Sequence, residues 1–531
     1  MKAARRWIGA CCVGLAIGAV GDGRANDNPL AERVTVKTGV LEGLRGTKTP
    51  HEVAFLGIPY AAPPVGELRW KPPQPATSWS GVRKARGYGP ACPQLRAAWL
   101  PYIGWSEDCL YLNVWTAAES DAARLPVIVY FHGGSNKAGY SQLNPLGPAL
   151  AGMGVVFVSA NYRLGPMGFL AHPALSAESA QHSSGNYGLL DQLMALEWVH
   201  DNIARFGGEP RQVTVMGQSA GAVDTCLLMA SPLAKGLFQG AILQSGDCQG
   251  VLNAELRRPL AYDSISTTGE QAGERLAKDL KVSAGPDFLH RLRALSADEI
   301  LKTWGRNRRI RFDAIVDGWV IPEQPAKVFA EGRQMNIPVL VGSNATEASV
   351  FGAGPKSIAE FKSYLRADAG PYADAEFRLY PAASDAEVPA MYLQCQDDQF
   401  AYGAFSMAGA MSRIGQHAYL YDFTFAQSGK RAALGAYHGE ELSLLANSFP
   451  ADWQHTVDDE SLGETMRRYW TQFAKTGDPN TPRSSNWPVF DDQNRYLELG
   501  RTIRVRTTTA KTHALAQIMR QVLSRTGGGI L

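Results

Sequence analysis

Charge is scarce in this chain. Asp, Glu, Lys and Arg make up 19% of its 531 residues, and the formal net charge is only +2. No basic block is long enough to track a phosphate backbone, which excludes a nucleic-acid partner from the expectations. His-Glu-x-x-His is missing and the ten histidines are scattered, so a metal hydrolase has no ligand pattern here. There is no internal repeat and no low-complexity linker. What is abundant is apolar: 45% of residues are hydrophobic, enough for a globular protein with a large core.

The N-terminus reads as an export signal. Lys2, Arg5 and Arg6 precede the apolar run from Trp7 to Val20, and Gly23-Arg24-Ala25 offers small residues for cleavage. The run is too short to span a bilayer, so no stable membrane anchor is expected. Residues 1–25 are expected to be removed, leaving residues 26–531 as one domain, periplasmic or secreted. That mature chain has 48 basic against 49 acidic groups, so the apparent basicity belongs to the signal. In an exported protein the neighbouring Cys92 and Cys109 predict a local disulfide. Cys226, Cys248 and Cys395 have room for one more bridge, which the sequence does not pair.

Short Val/Ile/Leu runs at 127–130, 154–160, 212–216, 241–243 and 338–341 predict strands buried on both faces. Apolar residues at helical spacing over 186–206 and 219–229 predict helices between them. Strands alternating with helices give an α/β fold, a mostly parallel central sheet flanked by helices. The polar segments 253–311 and 356–399 read as helical excursions on the substrate side.

Gln212-Val213-Thr214-Val215-Met216 leads directly into Gly217-Gln218-Ser219-Ala220-Gly221 and then a helical pattern. Gly-x-Ser-x-Gly in a strand–turn–helix setting places a serine at a strained apex with its hydroxyl exposed, which makes Ser219 the candidate nucleophile. A serine hydroxyl needs a base to take its proton. His438, in the small-residue loop Gly435-Ala436-Tyr437-His438-Gly439, comes late enough for the order serine, acid, histidine. For the orienting acid, Glu347 follows a predicted strand, with Asp317 and Asp422 as competitors. Phe131-His132-Gly133-Gly134-Ser135 follows another strand. The backbone N–H groups of Gly134, Ser135 and Ala220 are the candidate oxyanion hole.

Together these pieces resemble the type-B carboxylesterase family. The resemblance begins near Val34 and reaches the C-terminal region. It is carried by Phe55-Leu56-Gly57-Ile58-Pro59-Tyr60-Ala61, Ser106-Glu107-Asp108-Cys109-Leu110, Asn161-Tyr162-Arg163, Phe206-Gly207-Gly208, Ile315-Val316-Asp317-Gly318 and the two loops above. It implies an α/β-hydrolase fold, no cofactor, helical excursions over an active-site gorge, and a small-molecule ester as substrate. It also implies Glu347 as the acid, Asp317 as a turn residue, a Cys92–Cys109 disulfide, and ion pairs Arg69–Glu107 and Arg163–Asp191. Where most relatives carry Glu, this chain has Gln218, and Ser135 and Asn136 stand where many have glycine and an aromatic residue. With the arginines at 306, 308, 309 and Arg311, these departures make Gln218, Asn136 and Arg311 candidate substrate contacts. They point to esters bearing carboxylates, such as polycarboxylate or mycotoxin-type esters. The competing readings are a non-catalytic adhesion homologue, which the intact serine, acid and histidine argue against, and a lipase, which lacks its amphipathic lid.

Overall fold

The computed structural model describes residues 32–46, 52–249, 254–257, 267–307, 310–482, 484 and 486–526. The expected signal segment lies outside them.

Eleven strands form the main sheet. In chain order they are β1 (Leu44–Arg45), β2 (Val53–Pro59), β3 (Tyr111–Thr116), β4 (Leu125–Phe131), β5 (Val156–Ala160), β6 (Gly208–Gln218), β7 (Gly240–Gln244), β8 (Val339–Asn344), β9 (Ala418–Phe423), β10 (Arg495–Leu499) and β11 (Arg504–Thr507). Their spatial order is β11-β10-β9-β8-β7-β6-β4-β5-β3-β2-β1. The strands from β5 through β10 in that order are parallel, while both edges are antiparallel. A separate small sheet is formed by Arg33–Val36, Gly39–Glu42 and Val82–Lys84, with Gly39–Glu42 in the middle.

The apolar runs work as read. Along β4, Val127, Val129 and Phe131 face one core, and Ile128 and Tyr130 face the other. Successive side chains of a strand point to opposite faces, so a strand covered on both sides must be apolar throughout. Helices α1 (Tyr187–Asn202), α2 (Ala220–Ala230) and α3 (Val388–Arg413) contribute to the first core, and α4 (Val457–Thr476) to the second. The two excursions are largely helical, with Gly269–Asp279, Phe288–Ala294 and Ala297–Arg306 in one, and Ile358–Ala369 and Ala373–Leu379 in the other.

Register decides where chemistry can occur. Phe131 lies beside Gly217, and Gln244 beside both Gln218 and Gly342. The C-terminal ends of β4, β6, β7 and β8 are therefore level, and the loops that leave them converge outside that edge of the sheet. Scaffold ion pairs hold the surrounding loops. Arg69 grips Glu107 through two bonds of 2.6 and 2.7 Å, and Arg163 grips Asp191 through two of 2.7 and 2.8 Å. Cys92–Cys109 is a disulfide, as expected. Cys226 and Cys248 form a second, and Cys395 is a buried thiol. Among the described residues no helix is long and apolar enough to cross a membrane.

Candidate active site

Ser219 is the single residue between the end of β6 and the start of α2. Its backbone has φ 56° and ψ −126°, a region that L-residues rarely occupy. The turn is held by the Ser219 N–H donating to Gln244 O at 2.8 Å. It is also tight: a Cβ added at Gly221 would lie 2.1 Å from Phe131 O, so only glycine lets α2 pass this close to β4. The loop after β4 packs on the same turn. A Cβ at Gly133 would meet the Ser219 Cβ at 2.8 Å. Gly134, Ser135 and Asn136 then take φ values of 116°, 55° and 54°, and Ala220 is the first residue of α2. Gly134 and Ser135 thus lie on the loop packed against the Ser219 turn, and Ala220 follows Ser219 at the start of α2.

The candidate acid and base meet behind this turn. His438 Nδ1 and Glu347 Oε2 are 2.5 Å apart, and Glu347 is fully buried. Glu347 Oε1 accepts the Asn344 N–H at 2.7 Å, which sets the carboxylate's orientation. With Nδ1–H given to Glu347, the other ring nitrogen faces the elbow, and Gln218 Nε2 stands 3.2 Å from it. Asp317 and Asp422 are placed elsewhere. Asp317 closes its own turn by accepting the N–H groups of Trp319 and Ile321. Asp422 lies half-buried in β9, and desolvation followed by repulsion from Glu498 and Glu347 raises its pKa to about 7.

Electrostatics separate the acid groups. Burial lowers the pKa of His438, but the charge and hydrogen bond of Glu347, with the charge of Glu441, outweigh it and the net shift is upward. Glu441 lies beneath the pair, accepting Gln244 Nε2 at 2.9 Å and Asn344 Nδ2 at 2.6 Å. Desolvation and repulsion by Glu347 push its pKa up to about 7. His132 has another use than proton transfer: it is buried, stacks on Tyr162 at 4.5 Å, and burial lowers its pKa to about 4.

Two expected substrate contacts sit differently. Asn136 is only 4% exposed, and its side chain turns inward, donating to Asp224 Oδ1 at 2.9 Å and accepting from the Tyr162 hydroxyl at 3.1 Å. Its positive φ swings the side chain away from the cleft, so the expectation of a substrate contact is corrected. Arg311 projects into solvent, 78% exposed, with Nε 3.5 Å from Asp313. Lys137, on the loop with Ser135, reaches the same Asp313 at 4.0 Å. Arg306 is exposed, and 308–309 lie outside the described residues.

Sequence reading missed an aromatic wall beside the base. Phe351, 48% exposed, and Phe400 of α3 lie 4.9 and 5.3 Å from His438. It also missed Asp224, although a lone acid in the apolar helix Ala-Gly-Ala-Val-Asp-Thr-Cys-Leu-Leu-Met-Ala was a visible anomaly. Among the described residues no group of three or more His, Cys, Asp and Glu side chains is arranged to hold a metal ion.

Known proteins resemble this chain over most of its length. Residues 31–516 match the Carboxylesterase family. The chain is 38% identical to fumonisin B1 esterase of Sphingopyxis macrogoltabida, over 89% of this chain and 87% of that protein. It is 35% identical to para-nitrobenzyl esterase of Bacillus subtilis, over 85% and 92% respectively. A solved PNB esterase superposes with a TM-score of 0.78 at 31% identity, covering 92% of this chain and 99% of that one. The chain belongs to the carboxylesterase family, and is a carboxylic ester hydrolase with the α/β-hydrolase fold.

Proposed function

We propose that Ser219, His438 and Glu347 hydrolyse esters by double displacement. The observation that carries this reading is the 2.5 Å contact of His438 with the buried Glu347, beside the elbow that presents Ser219. Ser219 Oγ attacks the ester carbonyl while His438 Nε2 takes its proton. Glu347 orients the ring and stabilises the imidazolium. The N–H groups of Gly134, Ser135 and Ala220 receive the negative oxygen. His438 then gives its proton to the leaving alcohol, and deprotonates the water that releases the acid.

The substrate in this reading is an ester whose acid part bears a further carboxylate. Gln218 leaves no anionic side chain beside His438 at that position, and Lys137 and Arg311 place two cations around Asp313 next to the oxyanion loop. The relative named fumonisin B1 esterase makes fumonisin B1 the compound to include. Hydrolysis of a neutral acyl ester, an acid-bearing ester and fumonisin B1 should be compared at low and high salt. A preference for the acid-bearing compounds that weakens with salt is expected, because exposed cations are screened. Equal rates without a salt effect would remove the carboxylate part of the proposal.

The cellular setting follows from the same reading. Two disulfides, with residues 1–25 as an export signal, support a periplasmic or secreted enzyme whose residues 26–531 form one domain.

A further inference from the structure

The inward turn of Asn136 connects two parts of the site that come from different elements. Ser135 and Asn136 hold adjacent left-handed backbone conformations, φ 55° and 54°, which non-glycine residues keep only when their surroundings dictate it. Those surroundings are polar and buried. The Asn136 carbonyl accepts the Gly165 N–H at 2.6 Å. Its side-chain oxygen shares the Tyr162 hydroxyl hydrogen with His132 O, at 3.1 and 2.7 Å. Its amide nitrogen donates to Asp224 Oδ1 at 2.9 Å. Asp224 is fully buried, and its other oxygen accepts Gln192 Nε2 of α1 at 2.6 Å.

Asp224 stands four residues after Ala220 on α2, so the two share a helix face. The Asn136–Asp224 bond therefore joins the loop carrying the Gly134 and Ser135 N–H groups to the helix carrying the Ala220 N–H. Burying a carboxyl in an apolar helix is costly unless it is hydrogen-bonded, and Asp224 accepts from both Asn136 and Gln192. We propose that Asn136 is a positioning residue, whose bond to Asp224 sets the spacing between the two halves of the oxyanion hole. This rests on the oxyanion reading above. An oxygen that becomes anionic only in the transition state tests that spacing, whereas ground-state substrate does so weakly.

The test uses the full-length enzyme, a para-nitrophenyl ester and an aryl trifluoromethyl ketone. The serine adds to the ketone to give a tetrahedral oxyanion. Asn136→Ala is expected to lower kcat by about ten- to a hundredfold with KM within about twofold, as displacement of catalytic groups does. Ketone affinity should fall by a similar factor. Asp224→Ala should match it, and the double variant should be no worse than either single one, because both remove the same bond. Asp224→Asn should recover activity to within about threefold of wild type, since an amide oxygen still accepts from Asn136. Gln192 can turn its own oxygen, which has no partner among the described residues, toward the new amide. Thermal midpoints of all variants show whether each is folded at the assay temperature. A rise in KM with unchanged ketone affinity in Asn136→Ala would overturn the proposal and return Asn136 to the substrate. Equal losses in folded Asp224→Asn and Asp224→Ala would overturn it too. If the wild type itself fails to bind the ketone, the oxyanion reading falls first and the tie falls with it.

Discussion

The side-chain amide of Gln218 stands 3.2 Å from Nε2 of His438, at the ring nitrogen that the mechanism requires to take a proton from the neighbouring Ser219. The His438 imidazole is thus flanked by a carboxylate on one nitrogen and a neutral amide on the other. Charge acts on the imidazole chiefly from behind, through Glu347 and Glu441, and not from the substrate side.

This geometry fixes an expectation for pH. The base works only when neutral, so activity is gained as pH rises through the His438 pKa, which Glu347 and Glu441 together hold above the ordinary imidazole value. The acidic limb of kcat/KM should lie above about pH 6.5. Glu347→Gln should move the limb down and reduce kcat by roughly 10⁴-fold, the scale on which losing an orienting carboxylate is felt. A pH–rate series on both proteins checks it.

Gln218→Glu adds a negative charge 3.2 Å from the same nitrogen. The imidazolium is then favoured further, and the limb should move up. An acid-bearing ester should lose about tenfold more in kcat/KM than a neutral one, from repulsion at short range. Parallel pH profiles with the two esters measure both effects.

The candidate site was legible in the sequence where its residues are contiguous and follow the ends of strands. The elbow, the His-Gly-Gly loop and the His438 loop each follow or lie beyond an apolar run, and the parallel register brings them to one edge. What was not legible depends on dihedral angles or on distant partners. Asn136 was expected to face the substrate, but a φ of 54° turns it inward. Asp224 meets it across 88 residues, and Phe400 reaches His438 from α3. The Cys226–Cys248 pairing arises because α2 and the loop after β7 lie side by side, which spacing alone does not reveal.

That second disulfide closes a 22-residue separation. Replacing both cysteines with alanine should cost about 3 kcal/mol in the chain-entropy account, comparable to removing Cys92–Cys109. Denaturant unfolding of each double variant measures it.

Buried carboxyls give stability its own pH dependence. Burial is the leading cause that raises Glu440 to about 8, and Glu441, Asp224 and Asp422 each to about 7. The folded chain therefore keeps protons that the unfolded chain releases near pH 4, and stability should fall as pH rises from about 4 to about 8. Thermal midpoints across that range should decline, and Glu441→Gln should flatten the decline.

Ser219 is the residue on which the proposed mechanism depends most. The turnover number of Ser219→Ala, measured on a para-nitrophenyl ester with the variant's fold verified by its thermal midpoint, tests it directly. A fall of about a millionfold is predicted, with only residual hydrolysis left. Turnover near the wild-type value would contradict the assignment of Ser219 as the nucleophile and the mechanism built on it.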